Sequence, residues 1–500
     1  MIMKKITTSL LGLLAAGLTL APAHAQELFE QQTLPNPDNV PSPVFPVPTE
    51  RQMAWFETEF YGFSHYGPNT FNNVEWGNDR KPNPLEYRPE TMPDCEQWVN
   101  AMKAAGMKAV IVICKHHDGF CLWPTESTDF NVLNSAGVGP QVDIPKLVSD
   151  ACRKNGMKFG VYLSPWDASN AAYATPEYVQ KVFMKQITEL LTNYGDIFEI
   201  WFDGANGGSG YYGGDALTTR NIDKKSYYDW PNTMDSIHSL QPGAVVWGRE
   251  FRWCGNEQGY SGATCWSNFD TNAVTSEKIN NEGYEEGYEF IPSECDVRTS
   301  QKWFWHADEQ IKTPEQLFKI YLECVGRNAT LIMNCAPNTD GVLSDAVVES
   351  LEGLGELLEK RLSDNFALQA TNVTADNVRT GGKYEAKNVT DGDKNTYWAT
   401  NDDQTTGSVT IELPEEKTIH YVMLQEYIRL GQRVRSFRIE YSQDGSRWIN
   451  FASGSTIGYK RIVARANNTS SYGTGVKAKY IRVNITDSRA CPLLSNIAIY

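Results

Sequence analysis

At 500 residues the chain is longer than one compact domain usually runs, and two domains are the expectation from length alone. Its 61 Asp and Glu outweigh 45 Lys and Arg, a formal charge of −16 at pH 7 that repels nucleic acid and anionic membrane surfaces.

Lys4 and Lys5 precede an apolar run over 6–20 and then Ala23-His24-Ala25, the layout of a cleavable secretory signal. Residues 1–25 are therefore read as a leader cut near Ala25, and the mature protein as exported, periplasmic or secreted. The apolar run falls short of the roughly 20 residues that span a bilayer, and no later segment reaches that length, so no membrane insertion is expected. Residues 26–50 are rich in Pro, Asn and Gln and suit an extended lead-in rather than packed structure. Ten Cys are present; export permits disulfides, their pairing is not legible, and Cys114 in an apolar run reads as a buried thiol.

From 51 to 362 short apolar runs alternate with amphipathic stretches. Strands are predicted over 60–65, 109–114, 158–164, 197–203, 244–248 and 329–335, and helices over 94–106, 144–155 and 176–194. Thr313-Pro314-Glu315-Gln316 supplies an N-cap, a first-turn Pro and a Gln three residues on, which opens another helix. Such alternation implies parallel pairing, and a (β/α)8-type barrel is the predicted α/β fold. Beyond 362 helical periodicity stops. Alternating runs over 407–413, 421–425, 437–441 and 479–485, separated by turns such as Asp391-Gly392 and Asp444-Gly445, predict an antiparallel β-sandwich over 363–500.

Reactive groups of a barrel enzyme sit where strands end. Here the first strand runs into His65-Tyr66-Gly67, the second into Lys115-His116-His117-Asp118-Gly119, the third into Tyr162-Leu163-Ser164, and the fourth into Trp201-Phe202-Asp203-Gly204. Imidazoles and carboxylates are also zinc ligands, but adjacent His116 and His117 point in different directions and no His-x-x-x-His or Cys-rich partner accompanies them. Asp203 suits a nucleophile at a strand end, or equally a helix cap. Retaining glycoside hydrolysis needs two carboxylates about 5–5.5 Å apart, one ionised and one protonated.

Five landmarks give the site an identity by resemblance. Phe63-Ser64-His65-Tyr66-Gly67, Lys115-His116-His117-Asp118-Gly119-Phe120, Gly160-Val161-Tyr162-Leu163-Ser164, Trp201-Phe202-Asp203-Gly204 and Asn334-Cys335-Ala336-Pro337 stand in the order found in glycoside hydrolase family 29 α-L-fucosidases, which the chain resembles over about 50–360. The resemblance implies that Asp203 attacks the anomeric carbon, that His65, His116, His117, Tyr162 and Trp201 bind fucose, and that Glu75 and Trp76 complete the pocket. Where the family more often has Trp after the first His, this chain has Tyr66.

The stretches 252–259 and 292–306, the latter containing Trp303-Phe304-Trp305-His306, resemble the subfamily that cleaves α-1,3 and α-1,4 linkages on branched, Lewis-type glycans. That implies Glu257, in Gly255-Asn256-Glu257, as acid/base, with Glu294 as the alternative or a substrate-binding group, and Trp303 at the substrate. The implied function is an exo-acting retaining α-L-fucosidase acting on a fucosylated oligosaccharide without a cofactor. A related retaining exo-glycosidase acting on another sugar and a catalytically inactive carbohydrate-binding protein remain the alternatives.

The sandwich resembles discoidin-like domains and family 32 carbohydrate-binding modules through Asn388-Val389-Thr390-Asp391-Gly392-Asp393 and Thr396-Tyr397-Trp398-Ala399. Related modules hold a structural calcium near such an Asp-Gly-Asp turn with help from a Glu close to the C-terminus, which Ser495-Asn496-Ile497 lacks. Tyr427, Arg429 and Arg433 are the sugar-binding candidates there, and a purely structural appendage is the other reading.

Overall fold

Apolar runs buried on both faces make the frame of the molecule, as Ala109–Lys115 shows with Ala-Val-Ile-Val-Ile-Cys-Lys, every residue of it buried. The computed structural model describes residues 38–203, 206–272, 275–465 and 474–500; the predicted leader and the start of the lead-in lie outside them. Eight parallel strands curl around a shared interior: β1 (Phe60–Ser64), β2 (Ala109–Lys115), β3 (Lys158–Leu163), β4 (Ile197–Trp201), β5 (Val245–Val246), β6 (Arg252–Cys254), β7 (Ser293–Arg298) and β8 (Ala329–Asn334). They pair in the order β5-β4-β3-β2-β1-β8-β7-β6. The predicted barrel is thus a curled sheet whose two edge strands, β5 and β6, are bridged only at Trp247 and Phe251, with no helix between them.

The helices follow their local signals. Helix α1 (Glu50–Phe56), not predicted from the sequence, begins with a capping box between Thr49 and Gln52. In α2 (Cys95–Ala104) the Asp94 side chain accepts from Gln97 N–H. Helix α3 (Ile144–Asn155) has Asp143 as N-cap, Pro145 in its first turn and Gly156 beyond its end at φ 66°, where only glycine is unstrained. The helix predicted over 176–194 is divided: a π-helical segment, Tyr178–Phe183, precedes α4 (Met184–Asn193). The extra residue per turn turns Tyr178 inward, where its hydroxyl donates to Pro165 O at 3.0 Å. Further on come α5 (Trp230–Leu240), α6 (Pro314–Cys324) with the expected capping box at Thr313 and Gln316, and α7 (Asp345–Leu362), which packs on α6.

Two antiparallel sheets follow. The larger pairs Asn372–Ala375, Gly407–Ile419, Val476–Ser488, Val434–Ser442 and Ile449–Ser455 in that order; the smaller pairs Trp398–Ala399, Leu493–Ile499, Tyr421–Glu426 and Arg461–Ala464. Their apolar faces, including Trp398, Phe437, Ile439 and Val483, close a core of their own.

Residues 41–500 form one compact unit, because the sandwich packs against the N-terminal ends of the parallel strands. Lys460 pairs with Glu59, which precedes β1, at 2.6 Å. Asn328, which precedes β8, donates to Cys265 O at 3.0 Å and accepts from Tyr459 N–H at 2.7 Å. The lead-in is docked rather than free where it is described: Val44 N–H donates to Leu430 O at 2.9 Å, and Arg433 donates to Ser42 O at 2.6 Å. All ten thiols are buried and unbridged.

The same packing accounts for the sandwich's sugar-binding candidates. Arg429 forms an ion pair with Glu50 of α1, the fully buried Arg433 binds Cys491 O and Ser42 O, and Tyr427 stacks on Tyr397 at 4.2 Å. The two guanidinium groups thus tie the sandwich to residues 42 and 50, whereas Tyr427 packs within the sandwich. At the Asp391-Gly392-Asp393 turn, Asp391 accepts from Asp393 N–H and Thr396 O–H, and Asp393 from Asn395 N–H. Those oxygens thereby close their own turn.

Candidate active site

Where β1 to β4 leave the sheet at the opposite end, their last side chains converge on a cavity of about 500 Å³. Strand β4 ends at Trp201, two residues short of the prediction, so Asp203 stands beyond the ladder with its side chain 36% exposed; Gly204 lies outside the described residues. Tyr162, at the end of β3, donates its hydroxyl to Asp203 Oδ2 at 3.0 Å, and His117 Nε2 lies 3.2 Å from the same oxygen.

The three histidines divide the work of lining this wall. His117 Nδ1 meets Ser164 Oγ at 2.7 Å, and that hydroxyl in turn donates to Trp166 O at 2.8 Å, which fixes the ring. His65 Nδ1 meets Asn334 Oδ1, at the end of β8, at 2.8 Å; burial holds its pKa down to about 3, so the ring is neutral at any working pH. His116 lies parallel to the Tyr162 ring at 5.9 Å, and burial first, then His117 and His65, lower its pKa as well. Behind them buried Lys115 donates to Tyr178 O–H and Gln186 Oε1, both at 2.9 Å, and anchors the end of β2. Among the described residues no group of three or more His, Cys, Asp and Glu is arranged to hold a metal.

Trp201 forms the floor, stacked on Tyr162 at 5.5 Å and leaning on Trp247 at 4.5 Å. Trp76 stands on the rim, 54% exposed, with its ring 5.3 Å from His117. Its neighbour Glu75 is engaged with the loop that supplies Trp303: Oε2 accepts from Trp303 N–H and Oε1 meets His306 Nε2, each at 2.9 Å. Glu75 therefore ties down the loop that carries Trp303, whose carbonyl also accepts from Asn334 Nδ2 at 2.7 Å. Tyr66 turns away from the cavity into a buried cluster with Tyr87 and Trp98, so the Trp-to-Tyr departure lies outside the wall.

Of the two glutamates, Glu257 lines the cavity and Glu294 does not. Gly255, Asn256 and Glu257 have φ of 82°, 45° and 60°, a left-handed run that costs the two side-chain-bearing residues about 1–2 kcal/mol each. Asn281 Oδ1 holds this turn through Gly255 N–H at 2.7 Å. The turn presents Glu257 to the cavity, where Trp303 Nε1 donates to its Oε2 at 3.2 Å and Arg298 approaches the same oxygen at 3.5 Å. Glu294 is instead fully buried beneath the floor, accepting from Trp201 Nε1 at 2.7 Å and from Tyr61 O–H.

The sequence reading missed part of the wall. Trp166, Trp247 and Trp253 come from loops or a three-residue strand without an apolar signature. Asp296, on β7, was also missed; it accepts from Trp253 Nε1 at 2.8 Å, and burial, then Glu257 and Glu294, push its carboxyl up. The spacing of Glu294 and Asp296, two apart on one strand, was the available signal that both face inward.

Two exposed carboxyl groups at one aromatic-walled cavity are what hydrolysis of a glycosidic bond requires. Comparison with known proteins agrees. The pattern of the family described as Alpha-L-fucosidase matches residues 44–361, and that of the F5/8 type C domain matches 369–496. Alpha-L-fucosidase 1 of Arabidopsis thaliana is 35% identical over 470 residues, 92% of this chain and 88% of the plant protein. A family 29 fucosidase of Ruminococcus gnavus, solved in complex with fucose, superposes with a TM-score of 0.80 at 30% identity, covering 92% of this chain and 96% of that one. A family 29 member from a rumen bacterium gives 0.78 at 33% identity, over 92% and 78%. The chain therefore belongs to the α-L-fucosidases of glycoside hydrolase family 29, with a C-terminal F5/8 type C domain.

Proposed function

We propose that this α-L-fucosidase is an exported, exo-acting retaining enzyme that removes fucose in α-1,3 or α-1,4 linkage from branched oligosaccharides, with Asp203 as nucleophile and Glu257 as acid/base. The observation that carries this reading is that Asp203 and Glu257 both line one cavity while Glu294 is sealed below it. His65, His116, His117, Tyr162 and Trp201 would bind the fucose ring; neutral His65 offers a hydrogen bond without a competing charge. Trp76 and Trp303 flank the entrance and suit the apolar faces of the sugars. The leader over 1–25 supports export, and no described helix is long and apolar enough to cross a membrane.

In the first step an Asp203 oxygen attacks the anomeric carbon as its bond to the leaving oxygen breaks, and Glu257 donates its proton to that oxygen. The product is a fucosyl ester on Asp203. Glu257, now ionised, then takes a proton from water, whose oxygen attacks the same carbon and displaces Asp203, releasing fucose with net retention. Tyr162 and His117, bonded to one carboxylate oxygen, orient Asp203 throughout.

The test has two parts. Glu257→Ala should lose about 10²–10⁴-fold in turnover of an oligosaccharide, with azide restoring turnover of 4-nitrophenyl fucoside as fucosyl azide. Rescue of Glu294→Ala alone would refute the assignment. Comparing α-1,2, α-1,3, α-1,4 and α-1,6 fucosides should then show release from the α-1,3 and α-1,4 compounds; preference for α-1,2 or α-1,6 would refute the linkage.

A further inference from the structure

Below the floor lies a second carboxyl pair that the double displacement does not use. Glu199 on β4 and Glu294 on β7 are both fully buried, although these strands are not neighbours in the sheet. Trp55 Nε1 donates to Glu199 Oε2 at 2.6 Å, and Tyr61 O–H and Trp201 Nε1 donate to the two oxygens of Glu294. Glu199 Oε1 is buried and makes no hydrogen bond of its own, and the Glu294 carboxyl and the Tyr61 hydroxyl are its polar neighbours. The titratable groups facing the pair are each other, Tyr61 from β1 and Asp296 from β7, and none of these carries a positive charge. Burial raises both carboxyls, and repulsion from Glu294 raises Glu199 further, so the two are not ionised together.

We infer that Glu199 and Glu294 form a proton-sharing bridge across the sheet interior that positions Trp201, and through it the nucleophile. The route is continuous. Glu294 holds the indole N–H, the indole face carries Tyr162, and the Tyr162 hydroxyl holds Asp203. Apolar residues of similar volume would fill the same interior without taking two acids out of water, so packing alone does not call for the pair. A fixed rotamer under the reacting sugar does, because a pocket loosened by about 1 Å loses much of its catalysis. The inference rests on Trp201 being the floor of the fucose site.

The test is a double-mutant cycle in the full chain, with kcat and KM measured on 4-nitrophenyl fucoside and fucose affinity measured by calorimetry. Glu294→Gln keeps an acceptor for Trp201 and a permanent N–H for Glu199, and should stay within about 3-fold of wild type. Glu294→Leu should raise KM and weaken fucose binding about 10-fold, as should Trp201→Phe, and the double variant should be no worse than Trp201→Phe. Additive losses would overturn the inference. So would a 100-fold fall in turnover for Glu294→Gln that azide restores, since Glu294 would then be the proton donor. If Glu294→Leu fails to fold, fucose affinity against pH serves instead. It should weaken more steeply with rising pH in wild type, as the shared proton leaves, than in Glu294→Gln; parallel profiles would overturn the inference. Wild-type turnover is the control: its absence refutes the fucose reading, whereas turnover with additive variants refutes the positioning pair alone.

Discussion

The two ends of the parallel sheet use similar side chains for opposite purposes. At the C-terminal ends of the strands His65, His117, Asp203 and Glu257 surround a cavity, held at fixed angles by Ser164, Asn334 and Trp303. At the N-terminal ends Glu59, Asn328 and Lys460 are equally polar and equally fixed, but they face the sandwich and leave no opening. Polarity at a strand end therefore does not distinguish a site from a joint. What separates them is whether the partners of each polar group fill the space in front of it, as Asn328 and Tyr459 do, or stand beside it, as Tyr162 and His117 do at Asp203.

The sharpest test of that contrast is Asp203→Ala. Because its partners lie beside it, removal should abolish chemistry with little effect on the fold: kcat on 4-nitrophenyl fucoside should fall about 10⁴-fold or more, while the thermal midpoint stays within about 2 °C. A kcat loss below about 10-fold would place the nucleophile elsewhere.

How much of this was legible follows from the same contrast. Strands β2, β3 and β8 were readable because both of their faces are buried and their sequences are nearly continuous apolar runs. Strand β7, Ser-Glu-Cys-Asp-Val-Arg, was not, because its inward residues are acids whose burial is made tolerable by Tyr61, Trp201 and Trp253, donors from distant parts of the chain. His65, His116, His117, Tyr162 and Trp201 were readable because each ends an apolar run, and they do meet at one cavity. The partners of Glu75, Trp303 and His306, were not legible because they are more than 200 positions away. The division of 176–194 goes with the contact between Lys115 and Tyr178, which periodicity does not encode.

At the joint the expected effect is on stability alone. Asn328→Ala removes donors to Cys265 O and Ser267 Oγ and the acceptor of Tyr459 N–H, and leaves alanine at φ 61°. Those groups are buried, so unfolding by urea should show a loss of about 4 kcal/mol. KM, and kcat per folded molecule, should be unchanged. Asn328→Gly, which relieves the backbone but restores no hydrogen bond, should fall between the two. A change in KM would mean that the joint and the site are coupled.

Asp118 tests the other end by pH. It follows His117 but is 8% exposed and lines a different, smaller cavity; burial raises its carboxyl to about 7, Asp167 adds to this, and the Phe120 N–H, His117 and Lys115 oppose it. A carboxyl whose folded pKa lies above its unfolded value of about 4 stabilises the fold fully only below that value, and the contribution is lost as pH rises through about 7. Asp118→Asn keeps the acceptor for Phe120 N–H at 3.0 Å but cannot ionise. Between pH 4 and pH 8 the wild type should therefore lose on the order of 3 kcal/mol relative to the variant, at about 1.4 kcal/mol per pH unit of separation. Glu426 at the joint, also raised to about 7 by burial, is present in both proteins and cancels in the difference. Parallel urea midpoints across that range would show that Asp118 is solvated in the folded state, and that the wall behind His117 is open to water in a way that the joint is not.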